Sequence, residues 1–366
     1  MAPLEPWEKV LVSQDFMKTV HGIAACTDCH GGVQAPDKAS AHVRLVADPS
    51  AESKACEKCH ADTAHAAATS LHTTLAGYWT TLDARATPAN HSKLEQAFNN
   101  HCSSCHTTCG DCHISQPNSV GGGLLSGHVF EKTPPMTRTC TACHGSRVGA
   151  EYLGKHEDIP GDVHFREARM SCMACHKGAD LHGSPAGADT GRYDGAAAPL
   201  CKDCHPTVGA KGDTIVQHTL HGDKLQCQVC HSVEYTSCDG CHVAISEKTG
   251  APFYKTEGDY LTFSIGLNTR QDATRPWKYV TVRHVPISPD SFAYYGENLL
   301  PNFDALPTWA YATPHNIQRK TPQNAACSNC HGNPALFLTA DKVKPEELKA
   351  NQGVIVPNPP PAVTAP

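Results

Sequence analysis

The sequence has few of the residues from which an ordinary protein core is built. Only 6% of its 366 residues are aromatic, and only five are methionine. No stretch approaches the roughly 18 apolar residues of a membrane-spanning helix, so we expect no transmembrane segment. The formal charge of −6 offers no basic excess for a nucleic acid, so we expect no nucleic-acid partner. No cysteine is left over either, because all twenty belong to one repeated motif.

That motif is Cys-x-x-Cys-His, called a pentad below, and it occurs ten times. Histidine makes up 24 of 366 residues, so chance would place one after a Cys-x-x-Cys only about once in fifteen trials. Ten occurrences in ten trials therefore exclude coincidence. The pentads are Cys26/Cys29/His30, Cys56/Cys59/His60, Cys102/Cys105/His106, Cys109/Cys112/His113, Cys140/Cys143/His144, Cys172/Cys175/His176, Cys201/Cys204/His205, Cys227/Cys230/His231, Cys238/Cys241/His242 and Cys327/Cys330/His331.

The pentad is the attachment signature of c-type haem. Its two thiols can bond the two vinyl groups of one porphyrin edge, and its histidine ligates the iron from the proximal side. Zinc sites combine two Cys-x-x-Cys halves and do not require the adjacent histidine. A disulfide framework would not hold every cysteine to one spacing. The sequence therefore predicts ten covalent haems, with the pentad cysteines as thioether residues and the pentad histidines as proximal ligands.

Fourteen histidines lie outside the pentads and could supply the distal ligands. Five methionines are too few for ten irons, so bis-histidine ligation with low reduction potentials is expected. Four of the fourteen (His65, His72, His156 and His284) are interpreted as surplus. The predicted distal ligands are His21, His42, His91, His101 and His128, followed by His164, His182, His218, His221 and His315.

The order of the pentads indicates two pentahaem halves, residues 1–150 and 151–366. Each half has two spaced pentads, a tight pair and a closing pentad. Before each closing pentad, a histidine (His128 or His315) lies twelve residues upstream of the first cysteine, with a proline seven residues after it. We therefore expect His128 and His315 to play equivalent roles. The tight pairs place two porphyrins in near contact.

The expected fold is mostly irregular coil with short α-helices wrapped around a closely packed haem chain. A haem-free insert, residues 243–314, lies in the 84-residue interval that holds twelve of the 23 aromatic residues. Alternation at 259–265 and 277–285 predicts a small β-hairpin lobe there. The insert could cover haem edges, dock a subunit or redox partner, or bind a substrate. The proline-rich tail, residues 351–366, is expected to be mobile unless a surface such as a neighbouring subunit holds it.

Ten pentads between Cys26 and His331 resemble the multihaem c-type cytochromes. Outer-membrane conduit cytochromes are similar in haem number, and filament-forming extracellular cytochromes are similar in their tight haem pairs. The resemblance implies respiratory electron transfer, with a homo-oligomer or filament, other redox proteins or an extracellular acceptor as partners. The alternatives are a monomeric periplasmic carrier and a nitrite, hydroxylamine or tetrathionate reductase. Those reductases often carry a Cys-x-x-Cys-Lys site, which this sequence lacks.

Covalent haem attachment takes place outside the cytoplasm, so an extracytoplasmic location is expected, with the cell exterior favoured over the periplasm. Residues 1–20 have no basic segment followed by an apolar run. We therefore expect export through a signal peptide that this chain does not contain.

Overall fold

Short helices joined by coil make up most of the protein, together with two small antiparallel sheets. The computed structural model describes residues 12–51, 54–183, 191 and 199–363. This confirms the expected helix-and-coil fold. The α-helices are α1 Cys26–His30, α2 Lys38–Ala41, α3 Lys54–Ala68, α4 Leu71–Thr74, α5 Ala76–Arg85, α6 His91–His101, α7 Cys109–His113, α8 Cys140–His144, α9 Ala150–Leu153, α10 Val163–Ala168, α11 Cys172–Cys175, α12 Gly178–His182, α13 Cys201–Cys204, α14 Val216–His221, α15 Cys227–His231, α16 Cys327–Cys330 and α17 Leu348–Asn351.

Eight of the ten pentads lie on α-helical turns, and the third lies on the 3₁₀ turn Ser103–Cys105. Residues three apart share one face of a helix, so each of these turns directs both thiols to the same side. The fourth pentad shows how the sequence fixes such a turn. Thr108 caps α7 by accepting from the Asp111 amide, and the Asp111 carboxylate accepts from the Thr108 amide at 2.8 Å. This reciprocal arrangement is a capping box that starts the helix at the first cysteine.

The ninth pentad lies on a strand instead of a helix. Strand β1, Tyr235–Ile245, contains it and pairs antiparallel with β2, Pro252–Thr262. The second sheet has the order β3-β4-β5, with β3 Ile265–Leu267, β4 Tyr279–His284 and β5 Trp309–Tyr311. The predicted strand at 259–265 is therefore divided, since its first part pairs with β1 and its end pairs with β4. The β-structure also begins before the insert.

The chain forms two compact units. The first contains the chain up to Tyr78, Ser103–Gly145 and a segment that begins at Ser171. The second contains Trp79–Cys102, Ser146–Met170 and a segment that begins at Pro199. These units differ from the predicted halves at 1–150 and 151–366, because the segment beginning at Ser171 joins the earlier part of the chain.

The three hydrophobic clusters of the described residues all lie in the second unit. One contains Val280, Val282, Trp309 and Leu338, a second contains Leu82, Leu94 and Leu299, and a third contains Val229, Ile265 and Phe337. Much of this core comes from the aromatic-rich insert, as expected for a segment without a pentad. In the described part of the first unit, apolar side chains near the first pentad are instead exposed, including Val20 at 83% and Ile23 at 80%.

The C-terminal tail packs against its own unit, so the surface that holds its described part belongs to the same chain and not to a neighbouring subunit. Val354 and Val356 are 2% and 1% exposed, and the Asn351 side chain accepts from the Trp309 amide at 2.9 Å. Further along, the Pro360 carbonyl accepts from the Gly332 amide at 2.9 Å. The prediction from composition missed the buried valines between the prolines. Residues 364–366 lie outside the described part.

Among the described residues, no helix has the length and apolar character needed to cross a membrane.

Candidate functional site

Seven pairs of histidine rings face each other at nearly constant separation. Their centroids are 6.0 to 6.3 Å apart, and their interplanar angles range from 33° to 78°. Each pair joins one pentad histidine to one histidine from outside the pentads. In the first unit the pairs are His60 with His21, His30 with His128, His144 with His72, and His113 with His182. In the second unit they are His205 with His164, His231 with His218, and His331 with His221.

The separation is that of two axial ligands on one metal ion. A bond between a metal and an imidazole nitrogen is about 2 Å long. Two rings on opposite sides of one ion therefore have their centroids about 6 Å apart once the ring radius is added. Aromatic pairs alone scatter between about 4.5 and 7 Å. The narrow range across seven pairs, with one pentad histidine in each, fits bis-histidine haem ligation better than unassisted ring packing.

Hydrogen bonds orient several of these imidazoles for ligation. The Nδ1 atoms of His30, His113 and His231 lie 3.3, 2.7 and 3.0 Å from backbone carbonyl oxygens. A carbonyl can only accept, so Nδ1 carries the proton and Nε2 is left bare for a metal. Metal-ligating histidines typically use this second contact to fix the tautomer and the ring orientation. The carbonyls belong to residues 46, 131 and 318.

Desolvation favours the neutral form of further members of the set. It lowers the pKa of His21 and His128, and the pentad histidine facing each of them lowers it further. Desolvation also lowers the pKa of His182. Neutral imidazole is the form that ligates a metal. The lowered pKa of these three predicted distal residues therefore favours the form that ligation requires.

His72 was interpreted as surplus, but the structure places it opposite His144 at 6.2 Å. The helix-forming composition of residues 64–75 and the seven-residue spacing predict one helix with His65 and His72 on the same face. In fact α3 ends at Ala68 and α4 begins at Leu71, with Ser70 as the N-cap of α4. Ser70 was the available signal for this break, because serine is a preferred helix cap. His65 is exposed, and its Nε2 contacts Glu57 Oε1 at 2.7 Å.

The pairs also cross the predicted halves. His182 belongs to the second half of the sequence but faces His113 of the first half. His128 faces His30, although its closing pentad ends at His144. The position of a distal histidine along the chain therefore does not identify its pentad. One correspondence does hold, because His21 and His164 each face the second pentad histidine of their half.

Four predicted distal residues are not members of the seven pairs. His42 has the tautomer of the ligating set, since its Nδ1 lies 2.6 Å from the Lys38 carbonyl oxygen. His91 packs on Trp79 with ring centroids 4.9 Å apart. His101 has its Nε2 2.8 Å from the Tyr295 hydroxyl, which engages the atom that iron would need. The fourth is His315, whose backbone amide donates to Glu151.

Three predicted proximal ligands also lie outside the seven pairs, namely His106, His176 and His242. His106 is exposed and belongs to no facing pair among the described residues. It follows the 3₁₀ turn Ser103–Cys105, and its amide donates to the Ser103 carbonyl at 2.8 Å. A 3₁₀ turn is tighter than the α-helical turns of the paired pentads, and here the ring that follows lies at the surface. Burial lowers the pKa of His176 and so favours its neutral, ligating form.

Two histidines interpreted as surplus have other contacts in the second unit. His156 Nε2 lies 3.1 Å from the Thr236 hydroxyl. His284 is 2% exposed, and it lies between Asp239 at 2.6 Å and Glu347 at 2.8 Å. Burial opposes the protonation of His284, but the hydrogen bond and charge of Glu347, together with Asp239, raise its pKa. A cationic imidazole with both nitrogens engaged cannot ligate iron.

The ninth pentad lies on a strand, in a setting unlike that of the helical pentads. On β1, Cys238 is buried, and Gly240 has φ of 21°, where an added side chain would meet Glu257 and Ser288. The His242 Nε2 lies 3.0 Å from the Glu257 carboxylate. In this conformation the ninth histidine is not presented to an iron. The side chains of His242 and Glu257 are nevertheless 34% and 45% exposed. Ion pairs this exposed contribute only about 0–1 kcal/mol to stability.

Cys29 is exposed on α1, a helix that contains no buried residue, so nothing in the described chain covers its thiol. The pKa of Cys56 is raised mainly by its contact with Cys109, but the charge of Cys29 contributes as well. The first pentad therefore lies near the second, although its own thiol is uncovered.

Exposure of this kind is general among the thiols. Nineteen of the twenty cysteines are partly or fully exposed, although cysteine is usually among the most buried residues. Thiols of different pentads also touch. Within the first unit the hydrogen-bonded thiol pairs are Cys56 with Cys109, Cys172 with Cys140, and Cys105 with Cys143. Within the second unit Cys201 pairs with Cys227. Attachment points in contact place the edges of any bound porphyrins close together.

Comparison of the chain with family models, curated proteins and solved structures gives no match.

Proposed function

We propose that this protein is a multihaem c-type cytochrome that transfers electrons through closely spaced bis-histidine haems. The observation that carries the proposal is the set of seven facing pairs, each of which joins a pentad histidine to a histidine from elsewhere. The pentad cysteines would hold each haem through thioether bonds, and the paired imidazoles would ligate its iron. When bound, the haem supplies one-electron chemistry at the iron. The chain supplies the axial ligands, their orientation and the spacing between sites.

The thiol contacts support a relay within each unit. In the first unit, Cys56 and Cys109 link the second and fourth pentads, and Cys140 and Cys172 link the fifth and sixth. The charge of Cys140 also raises the pKa of the Cys112 thiol, after desolvation, which brings the fourth pentad beside the fifth. In the second unit the same kinds of contact join the seventh, eighth and tenth pentads. Adjacent attachment points favour rapid electron transfer between haems and offer little advantage to isolated storage sites.

Extracellular conduction in a polymeric assembly is the finer proposal, with a soluble periplasmic carrier as its alternative. The tail no longer supports assembly, because it packs on its own unit. What remains is the exposed apolar surface of β2, where Phe253 is 47% and Tyr254 is 74% exposed. Exposed aromatic residues are favoured at protein interfaces. Electron microscopy of the native protein distinguishes filaments from discrete particles.

A reductase requires an iron with a position open to substrate, and the seven pairs favour closed positions. The test is electron paramagnetic resonance of the oxidised holoprotein together with a haem count by intact mass. We expect low-spin ferric signals and no turnover of nitrite or hydroxylamine. A protein purified from a haem-attaching host without covalent haem would refute the proposed function. A large high-spin signal accompanied by nitrite turnover would favour the reductase.

A further inference from the structure

Two of the facing pairs in the second unit are backed by carboxylates instead of carbonyls. His164 Nδ1 lies 2.8 Å from Asp162 Oδ1, and His218 Nδ1 lies 2.9 Å from Asp213 Oδ2. These imidazoles face the histidines of the seventh and eighth pentads. The other two described Nδ1 contacts within pairs of this unit go to carbonyls. They join His231 to Gln318 at 3.0 Å and His221 to Gln217 at 3.2 Å.

Both carboxylates are built into the fold. The Asp162 side chain is 3% exposed and also accepts from the amides of His164 and Ile317 at 2.8 and 2.9 Å. The Asp213 side chain is 8% exposed and accepts from the amides of Gly209 and Ile215 at 2.7 and 2.9 Å. Hydrogen bonds to backbone amides favour the ionised form of a carboxyl group. Each distal imidazole therefore donates to a fixed negative charge.

A negative charge on Nδ1–H changes the iron more than a neutral carbonyl does. It draws the proton away from the ring and makes the imidazole a stronger electron donor, as second-shell carboxylates do for metal-bound histidines. Greater donation stabilises the ferric state over the ferrous state, so the reduction potential falls. Hydrogen bonding to an axial ligand is one of the general means by which a protein sets that potential.

We propose, in an inference that rests on the proposed function, that Asp162 and Asp213 are positioning residues. They make the seventh and eighth haems an adjacent pair of low reduction potential. Cys201 and Cys227 touch, so these two haems are neighbours. Cys330 lies close enough to Cys230 for its charge to raise the pKa of that thiol, after desolvation, so the tenth pentad is near the eighth. The tenth has the carbonyl-backed His221 as its distal histidine. Electrons therefore run downhill from the seventh and eighth haems to the tenth.

The test is spectroelectrochemical titration of the holoprotein with Asp162→Asn and Asp213→Asn. Asparagine keeps an accepting oxygen and removes the charge. We expect each variant to stay low-spin while one midpoint potential rises. A tenfold change in the ferric to ferrous ratio corresponds to about 59 mV for one electron, and a shift of that order is expected. The carboxylate variant Asp213→Glu should restore a potential near that of the wild type.

Asp272→Asn is the matched control, because it removes one aspartate charge from the same unit. Asp272 accepts from the Thr274 and Arg275 amides and contacts no histidine in the described structure. It should leave every potential unchanged. Unshifted potentials in both test variants would overturn the inference while leaving the proposed function intact. High-spin iron in the Asn variants would also overturn it, because the carboxylates would then hold the ligands in place without tuning them. If Asp162→Asn fails to fold, Asp213→Asn decides alone, since Asp213 lies in a separate loop.

Discussion

Replacing His72 with alanine tests the ligand set where structure and sequence disagree. His72 is half-buried, and its ring lies 6.2 Å from that of His144. Burial lowers the pKa of His72, which favours the neutral imidazole that ligates a metal. If one iron lies between the two rings, it has nitrogens about 2 Å away on each side. His72→Ala removes one of these bonds, and water is the simplest replacement.

The expected magnitude is one iron per chain out of the predicted ten. Water is a weak ligand, so that iron becomes high-spin in the oxidised protein. Its reduced form should bind about one equivalent of carbon monoxide, because a five-coordinate ferrous haem has a free axial position. Cys140 and Cys143 are untouched, so the covalent haem count stays the same. Electron paramagnetic resonance and a carbon monoxide titration measure the two effects.

His65→Ala is the control from the same stretch of sequence. Its ring is exposed and contacts Glu57, so no iron should open and no carbon monoxide should bind. The reasoning from ring separation is refuted if His72→Ala remains wholly low-spin. It is refuted equally if both variants open one iron.

The remaining predictions concern haem number, the tail and pH. Intact mass should show ten haems, including one on the ninth pentad. The exposed ion pair between His242 and Glu257 is worth only about 0–1 kcal/mol, so it cannot compete with iron for His242. A haem-free peptide containing Cys238 and Cys241 would disprove this. Val356→Ala should lower the free energy of unfolding by about 2 kcal/mol in denaturant titrations without loss of haem, whereas Val363→Ala, at a position 41% exposed, should have little effect. The pKa of His284 is raised in the folded state. Protonated His284 therefore stabilises the fold fully at pH below its ordinary pKa near 6.5, and this stabilisation is lost as the pH rises through the raised pKa. The unfolding midpoint should therefore fall over that pH range in the wild type and fall less in His284→Gln; equal slopes would show that the buried ion pairs do not contribute.

The pentads could be interpreted from the sequence because their chemistry is local. A haem attachment motif needs only five consecutive residues, and a helical turn places its thiols on one side. The histidines that face the pentad histidines lie far from them along the chain, as with His30 and His128, which are 98 positions apart. No local pattern encodes such a pairing. His42 and His182 could be proposed as distal ligands only because histidine is abundant and because of their order along the chain. The same reasoning left out His72.

Local composition was misleading where burial depends on distant partners. The prolines near the C-terminus suggested a free tail, but Val354 and Val356 fill clusters built from β3, β4 and residues 337 and 338. The strand pattern at 259–265 was real, yet its partner β1 contains the ninth pentad, where the sequence predicted haem attachment and no strand. In both cases contacts with distant parts of the chain determined the structure. The preference of a segment for a strand commonly depends on such contacts.

The long separations within the pairs explain how the first unit can fold with little apolar core. An iron held by His30 and His128 closes a loop of 98 positions, and one held by His21 and His60 closes a loop of 39. Such links restrict the unfolded chain, and the gain grows with loop length. The porphyrins would also cover apolar side chains such as Val20 and Ile23, which the described protein leaves exposed. The second unit has three hydrophobic clusters of its own, and its fold depends less on haem. Under the proposed function, the histidines that would ligate the irons would therefore also serve as cross-links in the unit that lacks a conventional core.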